Sequence, residues 1–259
     1  MGKRESYAPG AFCWVDLATT DPEAAKVFYG GLFGWEPDDM PAGGAATYTM
    51  LRLGNDYVGG LSGIDADQRE AGVLPHWLSY VSVEDASTAA VRARELGGTV
   101  HGGAFDILDA GRMALLEDPA GARLALWEPG RHAGAGRVND IGCLAWNDLQ
   151  TTNPSPALDF YAALLDWEMQ PIEQDGELVY VTIENGGTPN GGIMPSQNAG
   201  PPHWLPYFTV ASSQDILKKA RELGGEVMVE PLDIGAGRIS VLRDPQGAVF
   251  AVYEGETDD

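Results

Sequence analysis

Basic residues are scarce in this chain. Its 259 residues include 16 Lys and Arg against 38 Asp and Glu, which gives a formal net charge of −22 at pH 7. A surface this acidic repels the phosphates of nucleic acids and of anionic lipids. We therefore expect neither a nucleic acid nor a membrane as partner.

Cysteine and long apolar runs are scarce as well. The two cysteines, Cys13 and Cys143, are too few for a disulfide scaffold and are typical of a reducing compartment. No apolar run approaches the 18 residues of a membrane-spanning helix, and the opening "MGKRESYAPG" lacks the apolar region of a signal peptide. We expect a cytoplasmic protein, and its 44% hydrophobic residues are enough to form a core.

The chain contains two copies of one domain. The segments Trp14–Trp35 and Trp146–Trp167 are identical at 11 of 22 positions. The shorter phrases "PHWL", "RELGG", "AGR" and "DPxGA" then recur in the same order. A repeat of this kind indicates a duplication. The predicted domains are residues 8–130 and 138–255, joined by a linker at 131–137 within a stretch rich in Gly and charged residues.

Each copy has the pattern β-α-β-β-β twice. A strand at Phe12–Ala18 is followed by Asp21-Pro22, a helix N-cap and a first-turn proline, and the helix ends near Gly34. In the second copy Asn153 replaces the Asp, and we expect it to keep the cap. The pattern restarts with the strand "HWLSYVSV" and a helix over Ala89–Leu96. Further strands are predicted at residues 47–53, 57–61, 112–116 and 123–127.

These segments resemble the vicinal oxygen chelate superfamily, which includes glyoxalases, extradiol dioxygenases and the bleomycin- and fosfomycin-resistance proteins. The resemblance is carried by "TTDPEAAKVFYGGLFGW", "VSVEDASTAAVRARELGG" and "GRMALLEDPAGARLALWE", with their partners in the second copy. It implies an α+β fold with four βαβββ modules. These would form two tandem glyoxalase-like domains, each a curved sheet enclosing a cup that in the family holds a metal.

The family places its metal ligands by position. A His or Gln lies seven residues before the residue that caps a module's helix, and a Glu lies four residues after the Gly of D-P-x-G. The corresponding positions here hold Trp14, Leu78 and Ala125 in the first copy, and Trp146, Leu205 and Ala251 in the second. None of these side chains can coordinate a metal. A shifted site at His76 and Asp16 would have only two ligands, so we expect no metal and no other cofactor.

Strand alternation predicts which side chains face each cup. Trp77, Ser79 and Val81 form a mostly apolar row suited to packing on helices, whereas the alternate residues form a mixed row suited to a cup. Aromatic walls with a few polar groups suit a planar organic ligand. The predicted ligand-binding residues are Trp14, Asp16, His76, Leu78, Tyr80 and Trp127 in the first cup, and Trp146, Asp148, His203, Leu205, Tyr207 and Tyr253 in the second.

Structural roles are an alternative for these residues. Trp14 and Trp146 could fill a vestigial metal cavity. The carboxylates of Asp16 and Asp148 could form salt bridges, and His76 and His203 could be core or rim histidines. The candidate partners for the two carboxylates are Arg112 and Arg238.

The leading hypothesis is metal-independent binding of a small aromatic or hydrophobic metabolite, for sequestration and resistance or for an auxiliary role beside a biosynthetic partner enzyme. A second is a metal-independent isomerase, cyclase or lyase. In it His76 or His203 would be the general base, oriented by Asp16 or Asp148. A metal-dependent glyoxalase or dioxygenase ranks third because of the missing ligands. The fourth is a structural module whose cups are filled by its own side chains.

Overall fold

The computed structural model describes residues 2–43, 47–196 and 200–257, which form two eight-stranded sheets. The first domain contains β1 (Phe12–Thr19), α1 (Pro22–Phe33), β2 (Glu36–Pro41), β3 (Thr47–Leu53), β4 (Asp56–Gly63), α2 (Ala66–Glu70), β5 (His76–Ser82), α3 (Ala86–Glu95), β6 (Thr99–Ile107), β7 (Gly111–Glu117) and β8 (Arg123–Pro129). Its strand order is β2-β3-β4-β1-β5-β8-β7-β6.

The second domain repeats this topology. It contains β9 (Leu144–Thr151), α4 (Pro154–Leu165), β10 (Glu168–Gln174), β11 (Glu177–Asn185), β12 (Thr188–Pro195), β13 (His203–Thr209), α5 (Ser213–Glu222), β14 (Glu226–Asp233), β15 (Gly237–Arg243) and β16 (Val249–Gly255). The order is β10-β11-β12-β9-β13-β16-β15-β14. In each sheet two βαβββ modules meet at their antiparallel first strands. The predicted fold class of two tandem α+β domains is confirmed. None of the helices formed by the described residues is long and apolar enough to cross a membrane.

The sequence patterns did not predict the outermost strands of the sheets. β2 and β14 are exposed along almost their whole length, so they lack the buried alternate face that produces a period of two. The short helix α2 was missed for a similar reason, since it buries no residue. Its start is fixed locally by a capping box between Asp65 and Gln68.

The caps of the two long helices differ. Asp21 accepts a hydrogen bond from the Ala24 backbone N–H at 3.0 Å, and α1 ends at Gly34 with φ of 78°. The expectation that Asn153 keeps this cap is wrong, because its side chain makes no capping hydrogen bond. The Asn153 backbone N–H instead donates to the hydroxyl of Thr151 at 3.2 Å, which holds the turn that leads into α4.

The two domains pack through the helix-covered faces of their sheets. One core cluster joins α3 of the first domain to α4 of the second, and another joins α1 to α5. The predicted apolar row Trp77, Ser79 and Val81 is buried there, as expected. The Ser79 hydroxyl donates to the Asn147 side chain of the other domain at 2.6 Å. Because the cup residues alternate with this row, both cups face away from the domain interface.

A tyrosine from each domain reaches the D-P-x-G turn of the other. Tyr29 donates to the Asp244 carboxylate at 3.0 Å and accepts from Trp77 Nε1 at 3.1 Å. The other oxygen of Asp244 accepts from the backbone N–H groups of the turn that follows it. Tyr161 of the second domain accepts from Trp204 Nε1 at 3.0 Å and lies near Asp118 of the first domain; burial of the phenol and the charge of Asp118 raise the pKa of Tyr161. The repeated "FY" and "DPxGA" phrases therefore join the two domains.

We expect Tyr29→Phe to lower the free energy of unfolding by about 2–3 kcal/mol, since it leaves the buried Asp244 oxygen and the Trp77 N–H without a partner. Urea unfolding measures this. Tyr57→Phe is the matched control, because its hydroxyl bonds Asp38 at the surface, and it should change stability by less than about 0.5 kcal/mol. Equal losses in the two variants would contradict the interface role of Tyr29.

Candidate functional site

The centre of the first cup is a carboxylate surrounded by aromatic hydrogen-bond donors. We define the first cup by Trp14, Asp16, Tyr48, Tyr80 and Trp127. Asp16 Oδ1 accepts from Trp14 Nε1 at 2.8 Å and from Tyr48 Oη at 2.5 Å. Asp16 Oδ2 accepts from Tyr80 Oη at 2.6 Å. One buried carboxylate thus fixes three aromatic side chains from three different strands.

The second cup repeats this cluster, and we define it by Trp146, Asp148, Tyr180, Tyr207 and Tyr253. Asp148 Oδ1 accepts from Trp146 Nε1 at 3.0 Å and from Tyr180 Oη at 2.7 Å. Tyr207 also donates to this carboxylate. The repetition of all four residues at one site in both domains makes the cluster the most distinctive polar feature of the cups.

Strand register and one glycine bring the cluster together. On β5, Tyr80 lies opposite Trp14, and on β4, Gly60 lies opposite Asp16. A Cβ at Gly60 would lie 1.9 Å from Tyr48 Oη and 2.1 Å from Asp16 Oδ1. The missing side chain therefore lets Tyr48 reach across β4 to the carboxylate. Gly192 does the same for Tyr180 in the second domain.

Burial dominates the electrostatics of both clusters. It raises the pKa of Asp16 and of Asp148, although the three hydrogen-bond donors act in the opposite direction. Burial and the adjacent carboxylate also raise the pKa of Tyr48 and Tyr180. The phenols consequently stay protonated and act as donors, so neither can serve as a general base near neutral pH.

The histidines highlighted by the sequence do not join these clusters. The Nδ1 atoms of His76 and His203 lie 2.8 and 3.0 Å from the backbone carbonyls of Leu74 and Pro201, just before each strand. Both oxygens of Asp16 are taken by aromatic donors, so the predicted orientation of His76 by Asp16 is not found. The general-base pair of the second hypothesis is therefore not assembled in either domain.

The predicted salt bridges of the cup carboxylates are wrong. Arg112 lies 3.7 Å from Asp106, and Arg238 lies 3.8 Å from Glu254, both near the surface. The register explains this outcome. Arg112 lies opposite Glu128 on β8 and Arg238 lies opposite Glu254 on β16, and these rows alternate with the cup-facing Trp127 and Tyr253.

The two cups differ in what covers them. In the first cup the imidazole of His132 packs edge-on against Trp14, with ring centroids 4.5 Å apart, and Trp127 Nε1 donates to the His132 carbonyl at 2.9 Å. Ala135 and Val138 join the same apolar cluster. In the second cup the corresponding cluster contains only residues of the sheet itself.

This cover changes the exposure of equivalent aromatic residues. Trp14 and Trp127 are only 3% and 5% exposed, whereas their counterparts Trp146 and Tyr253 are partly exposed. The segment between the domains therefore covers Trp14 and Trp127, whereas Trp146 and Tyr253 of the second cup present aromatic surface to solvent. The order is reversed deeper in the cups, where Asp16 and Leu78 are partly exposed and their counterparts Asp148 and Leu205 are buried. The predicted linker thus forms part of the first cup, although no sequence pattern indicated this.

A further cleft lies outside the cups. It has a volume of about 240 Å³ and lies between α1, α5 and the segment that joins the domains. Its lining is mostly aliphatic, and Lys219 beside it donates to the Leu32 backbone carbonyl at 3.4 Å. It contains neither a repeated polar cluster nor a counterpart at the other end of the molecule among the described cavities.

Comparison with known families identifies the fold. Residues 12–126 match the family described as "Glyoxalase/Bleomycin resistance protein/Dioxygenase superfamily", and residues 147–253 match a "Glyoxalase-like domain". The chain belongs to the glyoxalase superfamily. It is 42% identical over 257 residues to "Putative glyoxylase CFP32" of Mycobacterium tuberculosis (strain CDC 1551 / Oshkosh), with 98% of each chain covered.

Two further similarities extend this result. The chain is 34% identical to "Anthracycline biosynthesis protein DnrV" of Streptomyces peucetius, over 96% of this chain and 94% of that protein. Among solved structures it resembles the Mn(II)-bound glyoxalase from Novosphingobium aromaticivorans, with a TM-score of 0.67 and 14% identity, covering 100% of this chain and 86% of the other. It also resembles the 2,3-dioxygenase LapB from Pseudomonas sp. KL28, with a TM-score of 0.65, 15% identity and coverage of 96% and 94%. These structures share the fold of this glyoxalase-superfamily chain.

The side chains of this glyoxalase-superfamily member do not fit the metal that the fold accommodates in such proteins. On the cup face Tyr80 lies beside Trp14 and Ala125, and Leu78 lies opposite Asp16. The Asp16 carboxylate there is already bonded to three aromatic donors. Across residues 2–43, 47–196 and 200–257, no three His, Cys, Asp or Glu side chains are grouped to hold a metal ion.

Sequence reasoning missed Tyr48, Tyr180 and His132. The two tyrosines had a usable signal, because Tyr48 and Tyr180 are separated by the same 132 positions as Trp14 and Trp146. Tyr48 lies on the strand predicted at residues 47–53, but alternation along one strand does not show that its hydroxyl reaches Asp16 across β4. His132 had no such signal, because it lies between the repeats and has no described counterpart.

We expect Gly60→Ala to destabilise the protein by about 2–3 kcal/mol more than Gly59→Ala, since only the first places a methyl group against Tyr48 and Asp16. At Gly59 the nearest atom to a new Cβ is the Val15 carbonyl oxygen at 3.3 Å. Chemical unfolding of the two variants measures the difference. Similar stabilities would show that the close approach of Tyr48 to the carboxylate is not required.

The buried His132 should make stability depend on pH. Burial lowers its pKa below the ordinary 6.5, so below that pH the unfolded chain binds a proton that the folded chain does not. Stability should therefore fall as the pH drops from about 6.5, and His132→Phe should make this decline shallower. Arg131→Gln, a change at the exposed neighbouring side chain, is the control and should follow the unmodified protein. An unchanged slope for His132→Phe would contradict the buried, neutral imidazole.

Proposed function

We propose that the protein binds a small aromatic or hydrophobic metabolite in the second cup, without the help of a metal. The observation that carries this proposal is the difference between the two cups. Both contain the same carboxylate and aromatic cluster. Trp146 and Tyr253 of the second cup are partly exposed, whereas their counterparts in the first cup are buried. An aromatic surface with a few polar groups in a concave site is suited to a planar organic ligand.

The wider face of the second sheet supports an apolar ligand. Strand register places three exposed apolar side chains on the cup side of the outer strands, and these are Ile172, Val229 and Leu232 at 50%, 39% and 54% exposure. A ligand that buries about 200 Å² of apolar surface would gain about 5 kcal/mol. Each aromatic contact adds about 0.5–1.5 kcal/mol. Association costs at least about 4 kcal/mol of translational and rotational freedom, so we expect an affinity in the micromolar to millimolar range without a metal.

The biological role that we propose is auxiliary. The relative in Streptomyces peucetius bears the name "Anthracycline biosynthesis protein DnrV", which supports a role beside a partner enzyme in the synthesis of an aromatic metabolite. Sequestration of such a compound is compatible with the same binding site. The two cysteines are free and buried, which agrees with action in the cytoplasm.

Catalysis by a cup histidine is not supported by the geometry. His76 and His203 are bonded to backbone carbonyls beside their own strands. The proposal therefore assigns binding to the cup, and any chemical change of the ligand would be the work of a partner.

The binding proposal is tested by calorimetric titration with a panel of aromatic metabolites, using Trp146→Phe and Trp14→Phe as a matched pair. Trp146→Phe should weaken binding about threefold to tenfold, because it reduces the aromatic surface of the open cup. Trp14→Phe should leave the affinity unchanged, because the segment between the domains covers that ring. Dialysis against a chelator should have no effect on either affinity.

Two results would count against the proposal. If no aromatic compound binds, the cup is a structural element of the fold. If affinity disappears on chelation and returns with a divalent metal, the metal-dependent hypothesis replaces this one.

A further inference from the structure

The first cup contains a ring that belongs to the chain itself. His132 places its imidazole 4.5 Å from Trp14 and 6.0 Å from Trp127 between ring centroids, with interplanar angles of 88° and 70°. Its backbone carbonyl accepts the Trp127 Nε1–H. Both tryptophans are almost fully buried as a result. The first cup thus accommodates a planar ring together with an adjacent backbone carbonyl group.

The second cup has the equivalent surfaces but not the equivalent ring. Trp146 corresponds to Trp14, and within the described residues no aromatic or imidazole ring contacts it. Tyr253 corresponds to Trp127, and its hydroxyl donates to the carbonyls of Ala236 and Glu256. The chain therefore provides a carbonyl for this corner of the cup.

The charges around the second cup restrict what such a ring can carry. Asp148 lies buried in the floor of the cup. The basic residues on the strands of that sheet, Arg238 and Arg243, are paired with Glu254 and Glu226. A ligand carboxylate or phosphate near Trp146 would face Asp148 without a free cation to balance it.

The ring in the first cup contacts two tryptophans, and one of its nitrogens has no polar partner among the described residues. The Nε2 atom of His132 is buried and forms no hydrogen bond with any described residue. The imidazole is therefore held by shape and by contact with the tryptophans, together with the bond to its backbone carbonyl. A ligand ring in the second cup would be held in the same way, by contact with Trp146.

From these observations we infer that His132 occupies in the first cup the place that a ligand ring takes in the second. The ligand is thus a planar aromatic compound whose buried ring bears no anionic group. This inference rests on the proposed function, because it names the chemical class that the open cup accepts. It also makes the first cup a second site of the same kind, closed by the chain.

The test is calorimetric titration of the full chain at pH 8 with indole and with indole-3-carboxylate. The unmodified protein should bind one indole, and His132→Ala should bind two, because removal of the imidazole opens the first cup. His132→Phe, which keeps a ring in place, and Arg131→Ala, at the exposed neighbour, should each bind one. Indole-3-carboxylate should bind the unmodified protein at least tenfold more weakly than indole.

The outcomes separate this inference from the proposed function. One indole bound by both the unmodified protein and a folded His132→Ala variant would overturn the inference and leave the binding function intact. Equal affinity of the unmodified protein for indole and indole-3-carboxylate would overturn only the claim that the cup excludes anionic rings. This comparison does not depend on the folding of any variant. If the unmodified protein binds neither compound nor any other aromatic ring, the proposed function fails and the inference fails with it.

Discussion

The cups of both domains depend on one interaction, the burial of a carboxylate beneath three aromatic donors. An uncompensated charge at that depth would cost several kcal/mol, so Asp16 and Asp148 require their Trp and Tyr partners. In return each carboxylate fixes the orientation of aromatic rings from separate strands. Gly60 and Gly192 are part of the same constraint, since a side chain at either position would separate a tyrosine from the carboxylate.

This cluster occupies the cup in which the resemblance to the superfamily implies a metal, and it changes what the cup can do. A metal site needs several open donor atoms that converge on one point. Here the cup floor has one carboxylate, and its oxygens are engaged by N–H and O–H groups. Aromatic faces remain for recognition. The duplication then allows the two cups to differ, since the segment carrying His132 covers Trp14 and Trp127 in one and leaves Trp146 and Tyr253 partly exposed in the other.

Much of the fold could be predicted from the sequence, because repeated phrases and strand alternation are encoded locally. The faces of β1 and β5 followed from alternation alone, whereas the positions of Trp14, Leu78 and Ala125 were compared with metal ligands only through the resemblance to the superfamily. The partners of Asp16 could not be predicted, because Tyr48 reaches it across a neighbouring strand at a glycine. The role of His132 depends on how the chain returns over the first cup, which no local pattern specifies. The cap expected at Asn153 is absent, although its backbone N–H bonds the Thr151 hydroxyl just as that of Asp21 bonds the Thr19 hydroxyl.

The most direct test of the account is a crystal structure of the chelator-treated protein soaked with 5-bromoindole, with anomalous data collected at the bromine edge. The account predicts a bromine peak within about 7 Å of the Trp146 ring, the range of aromatic contacts, and none beside Trp14. A metal peak between Trp146, Leu205 and Ala251, or bromine only in the cleft between α1 and α5, would contradict it.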